Sequence, residues 1–171
     1  DMPSIETDGL KTNYFLKRNS PNEILVSNKK IKFNDLAPNS IIGTSSYRRE
    51  YQLKNKRADL NYKLIRGNVD TRINKFKENL YDAIVLAYAG ISSLNLNNYV
   101  SHAFEIDEML PSAGQGVIAL QSKVDDNLIN NLLYKVNHKE THLSVKSERN
   151  VLKVLEGDCE TAIGVYSNIK E

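Results

Sequence analysis

Thr44-Ser45-Ser46-Tyr47-Arg48-Arg49 sets three hydroxyls directly ahead of two guanidinium groups. Arg66-Gly67-Asn68-Val69-Asp70-Thr71-Arg72 repeats the theme, with two more arginines around a Gly-Asn turn. Donors gathered at the start of a helix recognise anions, because the first backbone N–H groups have no internal partner and carry partial positive charge. Guanidinium forks bond planar oxyanions two donors at a time, so several carboxylates suit them better than they would suit lysines. The competing reading, a solvated basic helix face, fits an isolated Arg-Arg pair better than two such turns in one unit. Cys159 offers a different chemistry: as the only cysteine it forms no internal disulfide, so it is either a small core residue or a free nucleophile in a reducing compartment. His138 and His142 lie four apart with Glu140 between them, a spacing that can hold a metal. No third ligand is in view and the order is not that of a zinc-protease helix, so no metal is expected.

These groups need elements that bring them to one place. Ile41-Ile42-Gly43 is short and β-branched and runs into the hydroxyl residues, which are good N-caps for a helix from Tyr47 to Arg57. Tyr62 to Ile65 is strand-like, Asn68 caps the next helix, and Val69, Ile73, Phe76 and Leu80 recur at helical spacing. Ala83 to Ala87 is an apolar run of strand length, and a third helix opens after it. Strands alternating with helices predict a parallel, right-handed α/β sheet. In such sheets ligands bind beyond the carboxyl ends of the strands, so the two arginine-bearing turns are expected to share a cleft.

Leu110-Pro111-Ser112-Ala113-Gly114-Gln115-Gly116 then marks a crossing to another domain, followed by a strand at Val117 to Leu120. Leu128, Ile129, Leu132, Leu133 and Val136 share one helix face. A further helix is predicted from near Asn137, with Glu140 at capping-box spacing, to Gly157 as its C′ residue, and a β-like segment runs from Ala162 to Tyr166.

Bulk properties limit the alternatives. The 171 residues, 40% of them hydrophobic, bury one core or parts of two, which places the chain among globular proteins. A net charge of +2 provides no field for nucleic acid or a membrane surface, so anion recognition must be local. No apolar run approaches the roughly 20 residues of a membrane span. Asp1-Met2-Pro3-Ser4 resembles no signal peptide and lacks an initiator methionine, so the chain reads as beginning mid-protein, in the cytoplasm.

Five blocks carry a resemblance: Gly43 to Arg49, Leu64 to Arg72, Tyr81 to Gly90, Leu110 to Gly116, and Leu155-Glu156-Gly157-Asp158-Cys159. In order and spacing they resemble the hydroxymethylbilane synthases (porphobilinogen deaminases), across the whole chain. The resemblance implies an α/β fold of three domains, the first two like periplasmic binding proteins with a mostly parallel sheet. Residues 1–20 and 111–136 would be a remnant of domain 1, residues 21–110 domain 2, and residues 137–171 the start of domain 3.

The same resemblance implies a dipyrromethane cofactor joined to Cys159 by a thioether, the soft sulfur capturing the azafulvene left when porphobilinogen loses ammonia. Thr44, Ser45, Ser46, Arg48, Arg49, Arg66 and Arg72 match the family's ligands for acetate and propionate groups of the cofactor. Arg48, Arg66 and Arg72, with Gln115 in the crossing, match those for substrate. Asp1 falls on the catalytic aspartate. The implied enzyme condenses four porphobilinogen molecules, with release of ammonia, as a monomer without metal, nucleic acid or membrane. Arg18 and Arg149 are expected to make structural ion pairs.

Several positions depart from the family. Ser92 and Ser93 stand where a basic substrate contact is usual, Asp158 replaces a glycine beside the cysteine, and Pro21-Asn22-Glu23-Ile24 replaces Pro-Arg-Asp-Ala. Much of domains 1 and 3 is missing, so no turnover is expected of this piece alone. A non-catalytic anion-binding module of the periplasmic type leaves Cys159 without a purpose. A nucleotide-binding domain lacks a glycine-rich loop and a P-loop lysine.

Overall fold

The computed structural model describes residues 6–157 and 161–169. Its main body is a five-stranded sheet in the order β4 (Asn61–Lys63), β3 (Ile41–Gly43), β5 (Ala83–Ala87), β2 (Glu23–Ser27), β6 (Val100–Ala103). β3 pairs parallel with β4 and β5, as the alternating pattern predicts, while β2 runs antiparallel to β5 and β6. The sheet is therefore mostly parallel with one reversed strand.

Period-2 alternation builds a core on each face. Leu25 and Val85 point to one side, into a cluster with Phe33, Ile42, Leu53, Phe104 and Met109. Ile24, Val26, Ile84 and Leu86 point to the other, against Ile65, Ile73, Phe76 and Ile91. Leu53 belongs to α1 (Tyr47–Lys56), Ile73 and Phe76 to α2 (Val69–Lys77), and Ile91 to α3 (Tyr88–Ser93). Helices thus cover both faces. Since β3 leads through α1 to β4 on one side and α2 leads back to β5 on the other, the chain reverses direction between β3 and β5, and their carboxyl ends form a switch point.

A second, two-stranded antiparallel sheet joins β1 (Leu10–Phe15) to β7 (Ala119–Lys123). α4 (Asn127–Val136) and α5 (Lys139–Val154) pack beside it. Among the described residues no helix is long and apolar enough to cross a membrane.

Several local expectations shift. α2 ends before Leu80, which is exposed, because Asn79 takes φ 58°. The strand expected at Val117 begins at Ala119, since Val117 N–H closes a turn onto Gly114 O (3.1 Å). α5 is capped by His138, whose ring accepts from Thr141 N–H, and not by Asn137 with Glu140. At its other end Glu156, not Gly157, takes the left-handed position (φ 52°), and Gly157 N–H returns to Leu152 O (2.8 Å). A Cβ at Gly157 would meet Ile163 Cδ1 at 2.5 Å, so the tip of that side chain would have to turn aside. Ala162 to Tyr166 forms no strand, and Val165 N–H donates to Pro111 O (2.9 Å).

Candidate carboxylate-binding site

β3 delivers its chain to the switch point through a turn built from hydroxyls. Thr44 is buried and its Oγ1 accepts from Ser46 N–H (3.2 Å), while Ser46 caps α1 by accepting from Arg49 N–H (3.4 Å). Ser45 is exposed. This geometry places Arg48 and Arg49 in the first turn of α1, facing inward, where both are buried.

What they meet is Glu23. It opens β2 opposite Ala87, the last residue of β5, and shares Leu25's side of the sheet, the side α1 covers. Arg48 reaches Glu23 Oε1 at 2.6 Å and also donates to Leu110 O (2.7 Å) and Gln115 Oε1 (3.4 Å). Arg49 lies 2.8 Å from Glu23 Oε2 and donates to Val85 O (3.3 Å), near the end of β5. The Arg49 contact is an ion pair without hydrogen-bond alignment, so Glu23 Oε2 and Arg49 Nε are both buried without a hydrogen-bond partner.

The charges at this point do not balance. Burial works against the Glu23 carboxylate, but Arg49 and Arg48 outweigh it and hold its pKa below the ordinary value. Burial also lowers the pKa of Arg48; Glu23 opposes the shift and Arg49 adds to it. Arg72, half-buried on α2, is lowered by burial and then by the charge of Arg49. Two guanidiniums therefore share one buried carboxylate, and a third, Arg72, lies within the influence of Arg49, so positive charge is in excess here. Arg72 Nε donates to Gly67 O (2.7 Å), closing the β4–α2 turn where Gly67 takes φ 121°.

Arg66 stands exposed in that turn, and its guanidinium pairs with none of the described residues. The expected Asn68 cap is present in backbone conformation but makes no side-chain bond, so the first N–H groups of α2 stay open. Thr44, Ser46, Arg48, Arg49 and Arg72 are thus brought to the carboxyl edge of the sheet, while Ser45 and Arg66 lie at its surface.

Gln115 is committed elsewhere: its amide nitrogen donates to Pro21 O (2.6 Å), and its oxygen accepts from Ser112 Oγ (3.2 Å) and Arg48. Arg18 makes the expected ion pair, a two-pronged contact with Glu148 at 2.8 and 2.6 Å. Arg149 is half-buried on α5. Ser93 Oγ donates to Ala89 O (2.8 Å). His138 is occupied as a helix cap, His142 packs edge-on to Phe15, and the described residues hold no cluster of metal-ligating groups. Asp1 and Cys159 lie outside the described residues.

Glu23 is the residue that sequence reasoning missed. Its signal was available, since an acid at the head of the apolar run Ile24-Leu25-Val26 must be buried with that strand and therefore needs a cation.

Comparison with known proteins adds what the geometry cannot. The profile of the family described as "Porphobilinogen deaminase, dipyromethane cofactor binding domain" matches residues 1–131. Porphobilinogen deaminase of Chlorobium phaeovibrioides is 38% identical over 99% of this chain and 54% of that protein. The Carboxydothermus hydrogenoformans protein of the same name is 39% identical over 100% of the chain and 55% of its own length. The chain thus spans about half the length of the curated relatives it matches. Among solved structures, a TRAP periplasmic solute-binding protein from Xanthobacter autotrophicus overlaps 86% of this chain and 47% of its own, at 13% identity and a TM-score of 0.47.

Proposed function

The chain belongs to the porphobilinogen deaminase family, and from that premise we propose that its strand-end arginines hold the carboxylates of a pyrrole chain anchored on Cys159. The observation that carries this reading is the charge imbalance at the switch point. Arg48 and Arg49 share Glu23, with Arg49 Nε buried and unpartnered, and Arg72, which feels the charge of Arg49, has no carboxylate partner among the described residues. Two positive charges are left over, and a pyrrole ring with one acetate and one propionate brings two negative ones.

The complete protein then acts as a hydroxymethylbilane synthase, joining four porphobilinogen molecules into a linear tetrapyrrole with release of ammonia. Dipyrromethane, held by a thioether to Cys159, supplies the primer to which rings are added. Arg49, Arg66 and Arg72 orient the carboxylates, Ser45, Ser46 and Thr44 add hydroxyl donors at the helix start, and Asp1 sets a carboxylate against pyrrole N–H groups where positive charge develops. Arg48 and Gln115, whose donors are engaged within the protein, hold the frame of the site. Residues 21–110 form one unit around the five-stranded sheet, 1–20 with 111–136 belong to a second around β1 and β7, and 137–171 open a third. This chain alone binds and does not turn over.

Calorimetric titration with porphobilinogen at low salt tests the site. The wild-type chain is expected to bind, and Arg49→Met to bind at least tenfold more weakly, about 1.4 kcal/mol or more. Equal binding by both would overturn the reading. An unmodified Cys159 in the intact mass of the complete protein would remove the covalent anchor and favour a non-catalytic anion-binding module.

A further inference from the structure

The three parallel strands of the main sheet each end in a turn at the switch point, and the turns after β3 and β4 lead to the arginines. The third turn, from β5 into α3, carries Tyr88. Side chains alternate along β5: Ile84 and Leu86 face the cluster under α2, and Tyr88 continues on that side, its ring partly buried against the same cluster. Its backbone is held as well, since Tyr88 N–H donates to Asn22 O (3.0 Å), one residue before Glu23. Ring and main chain are therefore both fixed where β5 gives out.

The hydroxyl is not. Tyr62 and Tyr81 flank the same two cores and spend theirs on Arg57 O (3.1 Å) and Leu64 O (2.8 Å). Tyr88 Oη makes no hydrogen bond with any described residue and opens to solvent. A tyrosine anchored in a core normally finds a partner for its hydroxyl, so one left unspent at a strand end is free for a ligand.

Its neighbours belong to the carboxylate site. α3 runs close against the start of α2, where a Cβ on Gly90 would lie 3.3 Å from Val69 Cγ2. Val69 is the first residue of α2, whose leading N–H groups have no side-chain cap, and Arg72 follows within the next turn. Tyr88, two residues before Gly90, thus stands on the α2 side of the site, the side of Arg72.

We propose that Tyr88 is a further ligand-contacting residue, its hydroxyl donating to a carboxylate of the bound pyrrole beside Arg72. This rests on the reading of the strand-end arginines as a carboxylate site. Positive charge is already in excess there, and a neutral donor adds a hydrogen bond without adding repulsion. Because the ring is held by the core, the hydroxyl is in place before the ligand arrives.

The test compares wild type with Tyr88→Phe, which keeps the ring and removes only the hydroxyl, by calorimetric titration with porphobilinogen. The variant is expected to bind about tenfold more weakly, the scale of one hydrogen bond to a charged acceptor. Its urea midpoint should not change, because the hydroxyl bonds nothing in the fold. In protein carrying ring-labelled tyrosine, saturating porphobilinogen should shift the Tyr88 resonance, assigned by its loss in Tyr88→Phe. The resonance of Tyr134, exposed on α4, should stay in place. Equal binding by wild type and Tyr88→Phe would overturn the proposal and leave the arginine site standing. A loss of stability in Tyr88→Phe would assign the hydroxyl to the fold and overturn it as well. Absence of binding by wild type would remove the carboxylate site itself, and this proposal with it.

Discussion

Replacing Glu23 by glutamine keeps the shape of the side chain and removes the charge that lets two arginines be buried. Glu23 is wholly buried, with Arg48 at 2.6 Å and Arg49 at 2.8 Å. In the variant both guanidiniums remain inside without a counter-ion, and removing one partner of a buried pair costs about 3–5 kcal/mol. That is a large share of the ~5–15 kcal/mol that holds an ordinary domain together. With a urea slope of about 2 kcal/mol/M, the unfolding midpoint should fall by roughly 2 M.

The pH dependence has a definite sign. The folded-state pKa of Glu23 is lowered from 4.5, so its stabilising contribution is fully present above that pH and is lost as pH falls towards the lowered value. Urea titrations followed by far-ultraviolet circular dichroism, from pH 7 downward, should therefore show the gap between wild type and Glu23→Gln wide at neutral pH and shrinking below 4.5. A gap under about 1 kcal/mol at pH 7 would refute the view that Glu23 is the counter-ion of the site. So would a gap that does not change in acid.

Glu148 is a second buried carboxylate, binding Arg18, Gly114 N–H (2.7 Å) and Ser167 N–H (2.9 Å). Glu148→Gln should destabilise by about 3–5 kcal/mol and speed hydrogen exchange at Gly114 and Ser167 together, and independent behaviour of those two amides would count against a shared anchor. Gly116 takes φ 78°, and a Cβ there would meet Ser20 O at 2.5 Å. Gly116→Ala should lower stability by about 2 kcal/mol or more, measured by the same urea titration, and a neutral result would mean that the two connections between the sheets can move apart freely.

The parts of the fold legible in the sequence were those with local signals. Ile41 to Gly43, the Ser46 cap and the Ala83 to Ala87 run each declare themselves within a few residues, and the structure places β3, α1 and β5 there. β1, β2 and β6 did not, because their identity lies in long-range pairing: Glu23 to Ser27 is defined by partners about sixty to eighty residues away, and the reversed direction of β2 has no local signature. The same limit explains the site. The arginines were visible as a motif, yet their inward orientation follows from Glu23, which the register of β2 against β5 brings beneath α1. At α4 the periodicity predicts the helix, yet the face that meets the sheet is fixed by Asn130, whose bonds to Ser122, Lys123 and Val124 are not visible in the spacing of the apolar residues.

The counter-ion also divides the arginines by task. Arg48 has every terminal nitrogen engaged, with Glu23, Leu110 and Gln115, so it ties α1 to β2 and to the crossing connection. Arg49 spends one edge on Glu23 and Val85 and keeps Nε unpartnered, while Arg72 and Arg66 have no carboxylate partner among the described residues. An anion site built only of free arginines would repel itself in the empty protein, and one fully neutralised would hold nothing. Glu23 lies between these extremes: it fixes the inner pair at 2.6 and 2.8 Å and leaves positive charge in excess at the strand ends.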